Sequence, residues 1–407
     1  MDIRPALALV AAACLLVACA PAAQDSGPTE TTETTATSPT PTTSAAPDAA
    51  STSARESTPR PTGTPTPEPT PREIARSRVP EEQRAKIASL MVVGVTDFDD
   101  ALAKLEQGVG GIFITSWADP AILTEPGRDI AALREIVDRP FSVSIDFEGG
   151  RVQRHSQVLG SWPSPREMAL TMSPEQVTGI GREIGASLRH HGITVNFAPV
   201  LDVDTVGLEI VGDRSFSADP HTAGVYGAAF ARGLSEAGVT PVYKHFPGHG
   251  QASGDTHLGL AHTPPYEQMV HHDLPPYAVA LGQAPGAVMV GHMVVPGLGD
   301  GTSPSTLDPA VYRLLRSGGY PGGVPFDGLV YTDDLSGMRA ITDRMPTPEA
   351  VRAAIAAGAD QALWSSATGL GHAIDLVDAA VTAGEIPIGQ IDASALRVQL
   401  QLLESGS

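Results

Sequence analysis

Beyond about residue 76 the chain alternates between short, continuous apolar runs and longer amphipathic stretches. The runs fall at 90–95, 111–115, 141–147, 195–203, 242–246, 287–294, 328–332 and 361–364, and most are rich in β-branched residues. Continuous rather than alternating hydrophobicity predicts strands covered on both faces, and hence a parallel sheet. The stretches between them predict helices. Residues 128–138 are amphipathic. Ser173 and Glu175 open a long helix that ends before Gly192, and Pro348-Glu349 opens another that stops at Gly358. Strand–helix units repeated in this way predict an α/β fold, a single (β/α)8 TIM barrel. A doubly wound open sheet is the alternative. Its dinucleotide-binding version is disfavoured because no early G-x-G-x-x-G follows a strand.

The N-terminal part has a different pattern. Residues 6–17 are an apolar run after Arg4, too short for a membrane-spanning helix of about 20 residues. The run ends in Leu16-Val17-Ala18-Cys19, which resembles a bacterial lipobox. Residues 1–19 are therefore expected to be a lipoprotein signal peptide, with Cys19 lipidated and the protein exported and anchored to the outer face of the cell membrane. From Ala20 to Glu73 there is no Val, Ile, Leu, Met, Phe, Tyr or Trp. A Thr-, Pro- and Ser-rich tract of this kind cannot offset its ordering entropy by burial, so residues 20–75 are expected to be a disordered linker. The folded domain is expected at 76–407.

Composition narrows the function. The formal charge is −20, from 46 acidic and 26 basic residues, which argues against nucleic acid as a partner. The two Cys, Cys14 and Cys19, both lie in the leader, so the body of the protein has neither a disulfide framework nor a thiolate metal site.

In a barrel of this type, chemistry gathers at the C-terminal ends of the strands. Polar residues recur there: Asp146 and Glu148, Asn196 and Asp202, Lys244 and His245, His292, Asp333 and Asp334. The most specific stretch is Lys244-His245-Phe246-Pro247-Gly248-His249-Gly250, followed by Asp255-Thr256-His257. Its glycines predict a loop. Asp255 and His257, two residues apart, can share a face, and a carboxylate beside an imidazole fixes its tautomer and raises its basicity. His190, His191, His271 and His272, on helical patterns, read as decoration.

The string K-H-F-P-G-H-G with the following D-T-H resembles glycoside hydrolase family 3, in its short bacterial β-N-acetylglucosaminidase branch. The resemblance continues through Asp146–Arg154 (D-F-E-G-G-R-V-Q-R), Asn196–Asp202 (N-F-A-P-V-L-D), Gly212–Phe216 (G-D-R-S-F) and Thr332–Leu335 (T-D-D-L), in family order from about residue 80 to 370. It implies a (β/α)8 barrel that removes terminal β-linked N-acetylglucosamine with retained configuration. Asp333 matches the nucleophile, His257 the acid/base and Asp255 its orienting partner. Asp146, Arg154, Arg214, Lys244 and His245 match positions that hold sugar hydroxyls. Asp334 is the rival to Asp333, and the roles of Glu148, Asp202 and His292 stay open. Phe147 departs from the Gln common in this branch.

The resemblance implies a covalent glycosyl-enzyme on Asp333 and no metal or other cofactor. Cell-wall muropeptides are the substrate it implies for an exported bacterial protein, acting as a monomer. The same site could run as a phosphorylase. A metal-dependent barrel hydrolase using His245, His249, His257 and Asp255 is a further reading, although it lacks the usual H-x-H on the first strand. A non-catalytic cell-wall-binding lipoprotein would have no reason to keep both nucleophile and dyad.

Overall fold

In the computed structural model the structure describes residues 68–366 and 368–406. The signal peptide, Cys19 and most of the expected linker lie outside them. Eight parallel strands form one sheet: β1 (Met91–Val95), β2 (Gly111–Ile114), β3 (Ser142–Ile145), β4 (Val195–Asn196), β5 (Thr240–Phe246), β6 (Ala287–Val290), β7 (Val330–Thr332) and β8 (Ala362–Trp364). Their order around the sheet is β8-β1-β2-β3-β4-β5-β6-β7. The ring is completed between β7 and β8 by the Tyr331–Gln361 bridge and by the Leu335 N–H donating to the Leu363 carbonyl at 3.0 Å. The fold is the expected α/β barrel. Nearly every strand residue is buried, as a parallel sheet wrapped by helices requires. Phe113, Phe197 and Tyr331 pack ring against ring inside the barrel, with centroids 5.6 and 5.3 Å apart.

Three strands are shorter than the apolar runs suggest. The run 195–203 yields only Val195–Asn196, because Pro199 cannot donate to a ladder and Asn196 turns its amide to the backbone of Phe147. The run 141–147 divides. Ser142–Ile145 joins the barrel, while Phe147–Gly149 forms an antiparallel hairpin with Val152–Gln153 above it. The run 287–294 leaves the ladder after Val290.

The folded unit also begins earlier than residue 76. Helix α1 (Pro71–Arg78) starts behind Thr70, whose side chain and Glu73 form a capping box, and buries Ala75. The signal was present as T-P-R-E, but α1 carries only one large apolar side chain, Ile74. Helices α2 (Pro174–His190), α3 (Pro220–Glu236) and α4 (Thr347–Ala357) belong to the outer ring. Helix α5 (Ile388–Glu404) crosses the N-terminal mouth of the barrel. Its Gln390 bonds the Ile355 carbonyl, Ser394 bonds Asp360, and Gln401 bonds Thr240. Helix α1 packs on α5, and Arg72 reaches Asp327 at 3.5 Å. The floor of the barrel is thereby closed, and the opposite, C-terminal end is left open to ligand.

Candidate active site

A cleft of about 340 Å³ opens at the C-terminal ends of the strands. It is lined by Asp146, Arg154, Arg214, Lys244, His245, His257 and Asp333, together with Glu148, Asp202 and His249. Asp255 is the one expected site residue outside that lining, and it contacts His257 instead. A larger cleft, about 500 Å³, lies at the opposite face against the starts of β5, β6 and β7. It lacks the convergent buried carboxylates, cations and imidazoles of the smaller one, which decides between them.

The floor of the smaller cleft is a network of two carboxylates and three cations. Lys244 Nζ donates to Asp146 Oδ1 at 2.8 Å and lies 2.7 Å from Glu148 Oε1. Arg154 holds the other oxygen of Asp146 at 2.9–3.0 Å. Arg214 grips both oxygens of Glu148, at 2.7 and 2.8 Å. Burial alone would raise both carboxyls. Arg214 and Lys244 nevertheless hold Glu148 at about 2, and Lys244 with Arg154 holds Asp146 well below the usual carboxylate range. Conversely, burial would lower Lys244, but Asp146 and Glu148 raise it, so every member stays charged. Such a floor offers fixed, charge-assisted donors and acceptors around its edge.

Asp333 follows the last residue of β7, with its N–H bonded to the Val290 carbonyl at 2.9 Å. Its Oδ1 accepts the Asp334 N–H at 2.9 Å, and its Oδ2 lies 4.0 Å from His245 Nε2. Burial would raise this carboxyl, but the His245 and His292 rings, the Asp334 N–H and Lys244 together hold it below its ordinary value. It is therefore an ionised carboxylate in a largely dry place. Asp334 has a different local role: its Oδ1 accepts from the Ser336 N–H and hydroxyl and from the Ser365 N–H, each at 2.9 Å. That arrangement is a turn cap linking the loops after β7 and β8.

Asp202 lies beneath His245. Its Oδ2 receives Nδ1–H of His245 at 2.6 Å, and its Oδ1 receives the N–H groups of His245 and His249. Although buried, Asp202 is held well below the usual carboxylate range by the neighbouring His245 and His249. With Nδ1 committed to Asp202, the His245 Nε2 edge faces Asp333. His292, fully buried, sits between the Thr306 hydroxyl (2.7 Å) and the Asp334 carbonyl (3.0 Å). A carbonyl only accepts, so Nε2 carries a proton, while the Thr306 hydroxyl that meets Nδ1 also reaches the Val290 and Gly291 carbonyls at 3.0 and 2.6 Å. Burial lowers this imidazole, against the opposing pull of Asp333 and Asp334.

The loop after β5 depends on two glycines. A side chain at Gly248, where φ is +138°, would run into Asp273, and one at Gly250 would meet the Val203 carbonyl at 2.1 Å. Further along, Thr256 is buried, its hydroxyl 3.4 Å from His249 Nε2 and its carbonyl accepting the Ala340 N–H. This stitch ties the loop to the segment that follows Asp333. Asp255 Oδ1 then receives both the N–H and Nδ1–H of His257, at 2.8 and 2.7 Å. The ring is 46% exposed and its Nε2 is left for solvent or substrate.

Glu148, Asp202 and His292, whose roles the sequence left open, are integral to this arrangement, and His249 with Thr256 anchors the loop. Glu148 had a local signal, two residues after Asp146 on one hairpin. Asp202 had none beyond the string it sits in. The metal-ligand reading finds no support in the geometry. Among the described residues no three His, Cys, Asp or Glu side chains are grouped as ligands.

A floor of paired charges suits a ring of neutral hydroxyls, and a desolvated carboxylate beneath an exposed imidazole suits cleavage of an acetal bond. That is the work of a barrel glycoside hydrolase. The chain belongs to glycosyl hydrolase family 3: the model of that family's N-terminal domain matches residues 83–400. It is 47% identical over 322 residues to the β-hexosaminidase LpqI of Mycobacterium tuberculosis, covering 77% of this chain and 81% of the relative. A solved family 3 glycosyl hydrolase from Mycobacterium smegmatis superposes with a TM-score of 0.76 at 48% identity, over 79% of this chain and 97% of that one. A solved family 3 β-N-acetylglucosaminidase from a Paenibacillus species gives 0.74 at 31% identity, over 80% and 63%.

Proposed function

We propose that the protein is a retaining β-N-acetylglucosaminidase with Asp333 as nucleophile and His257 as acid/base. The observation that carries this reading is the placement of an ionised, buried Asp333 and the Asp255–His257 pair around one cleft. The reading is supported by the names of two proteins similar to this chain, a β-hexosaminidase and a β-N-acetylglucosaminidase. In the first step an Asp333 oxygen attacks the anomeric carbon and the bond to the leaving oxygen breaks. His257 Nε2 gives that oxygen its proton. In the second step His257 takes a proton from water, whose oxygen displaces the Asp333 carboxylate and releases the free sugar. Asp255 holds the imidazole by its Nδ1–H, leaving Nε2 toward the leaving oxygen. Lys244, Arg154, Arg214, Asp146 and His245 hold the sugar hydroxyls.

Most retaining glycosidases use a second carboxyl group as acid/base. An imidazole repels an incoming phosphate less than a carboxylate does, so phosphorolysis at the same site is the second reading. Water is the preferred acceptor because a chain of net charge −20 disfavours phosphate at long range. The proposed setting is an exported protein held to the membrane through Cys19, trimming muropeptides that carry β-linked N-acetylglucosamine. The central test compares turnover of an aryl β-N-acetylglucosaminide with that of the matching β-glucoside. Equal turnover of the two, or none of the first, overturns the reading.

A further inference from the structure

The charged floor accounts for one sugar ring, but the cleft also has an exposed aromatic wall that neither chemical step uses. Trp117, on the loop after β2, lines the same cleft as His257 while its side chain is 59% exposed. The other two tryptophans differ: Trp364 is buried, and Trp162 is half-buried with its indole N–H on Glu183. Leu258 and Leu260, one and three residues past His257, are 73% and 45% exposed, and Val206 on the loop between β4 and β5 is 62% exposed. Single exposed apolar residues are ordinary. Here they recur on three loops at the C-terminal end of the barrel, and Trp117 itself lines the cleft.

The position of this surface follows from the acid. Half-exposed His257 stands at the mouth, so the oxygen it protonates must be there, with the charged floor on its sugar side. Whatever is bonded to that oxygen lies over the mouth. A pyranose with equatorial substituents turns its axial C–H bonds outward and so presents a flat apolar face, which an indole ring complements. We propose that Trp117 is the platform of a leaving-group subsite that takes a second pyranose ring, and that it selects glycans over simple glycosides. This rests on the reading of the cleft as a glycosidase site with His257 as its acid.

The proposal is tested by binding without turnover, using the sulfur-linked disaccharide of two β-1,4 N-acetylglucosamine units and, separately, N-acetylglucosamine alone. The thio-disaccharide should move the tryptophan emission to shorter wavelength as Trp117 leaves water, while the monosaccharide binds without that change. Trp117→Ala should abolish the shift and weaken the disaccharide about 10-fold, the usual worth of an aromatic contact. Trp117→Phe should restore most of the affinity. Unchanged disaccharide affinity in Trp117→Ala, or the same spectral shift with the monosaccharide, overturns the subsite while leaving the glycosidase reading intact. Binding of neither ligand, together with no turnover of aryl N-acetylglucosaminide, overturns both.

Discussion

Glu148→Gln removes one negative charge from the most deeply buried part of the floor, and its cost can be reasoned from two directions. The Glu148 side chain is fully buried and accepts three charge-assisted contacts, two from Arg214 and one from Lys244. Removing one member of such a buried set leaves the cations under-compensated, which costs roughly 3–5 kcal/mol. The carboxyl is also held at about 2 against an ordinary 4.5. That difference corresponds to roughly 3 kcal/mol of native stability at neutral pH. The two routes agree, so the variant is expected to lose about 3 kcal/mol.

The sign with pH follows from the depressed pKa. The contribution is complete above the unfolded value of 4.5 and is lost as pH falls toward the folded value of about 2. The difference between wild type and variant should therefore be constant from neutral pH down to about pH 5 and more than half gone by about pH 3. Guanidinium unfolding of a soluble form at three pH values measures it. A difference below about 0.5 kcal/mol at neutral pH would place the pair in the class of surface ion pairs and refute the argument. A difference that does not shrink in acid would show that lost packing, not lost charge, is responsible.

Other expectations follow from the same geometry. Asp333→Asn should abolish turnover with the fold preserved, and a slow 2-fluoro or 5-fluoro glycoside should label the peptide at Asp333; a label on Asp334 or Glu148 would reassign the nucleophile. His257→Ala should slow substrates with poor leaving groups most and let activated aryl glycosides accumulate a covalent intermediate, with Asp255→Ala a milder copy; equal losses on both substrate types would exclude acid/base catalysis by His257. A chain beginning at residue 69 should be as stable as one that keeps the linker, whereas one beginning at residue 80 should melt several degrees lower, because it lacks the Ala75 contact, the packing of α1 on α5 and the Arg72–Asp327 pair; equal melting temperatures would make α1 dispensable. Product analysis in about 10 mM phosphate should give free sugar rather than sugar 1-phosphate, the reverse outcome making the enzyme a phosphorylase.

The barrel was legible because its evidence is local. Eight mostly apolar runs, bounded by Gly, Pro and capping residues, each report on their own neighbourhood, and burial on both faces favours a parallel sheet. Errors arose where side chains compete with the backbone ladder. Asn196 gives its amide to Phe147, and Pro199 has no N–H, so a nine-residue apolar run becomes a two-residue strand followed by a loop. Helix α1 was missed for the opposite reason. Its start is encoded in Thr70 and Glu73, but only Ile74 and Ala75 supply a buried face, so an apolar pattern has almost nothing to detect.

The site divides along the same line. Asp255 and His257 are two residues apart, and their bond is set by a local turn, so their pairing could be read from spacing. Glu148 and Arg214 are separated by 66 residues, and Asp202 and His245 by 43. Their pairing exists only because β3, β4 and β5 end side by side at one rim. The sequence offered both acids as candidates without roles, since nothing near either shows whether it meets a cation, an imidazole or water. Burial resolves this. An ionised carboxylate without a partner in a dry interior would cost several kcal/mol, so each one retained there must have its compensating group within hydrogen-bonding reach. For Glu148 that group is Arg214 with Lys244, and for Asp202 it is His245. Each of these groups lines the cleft above its structural acid, so on the proposed reading the side chains that hold the strand ends together are also the ones that present donors to a sugar.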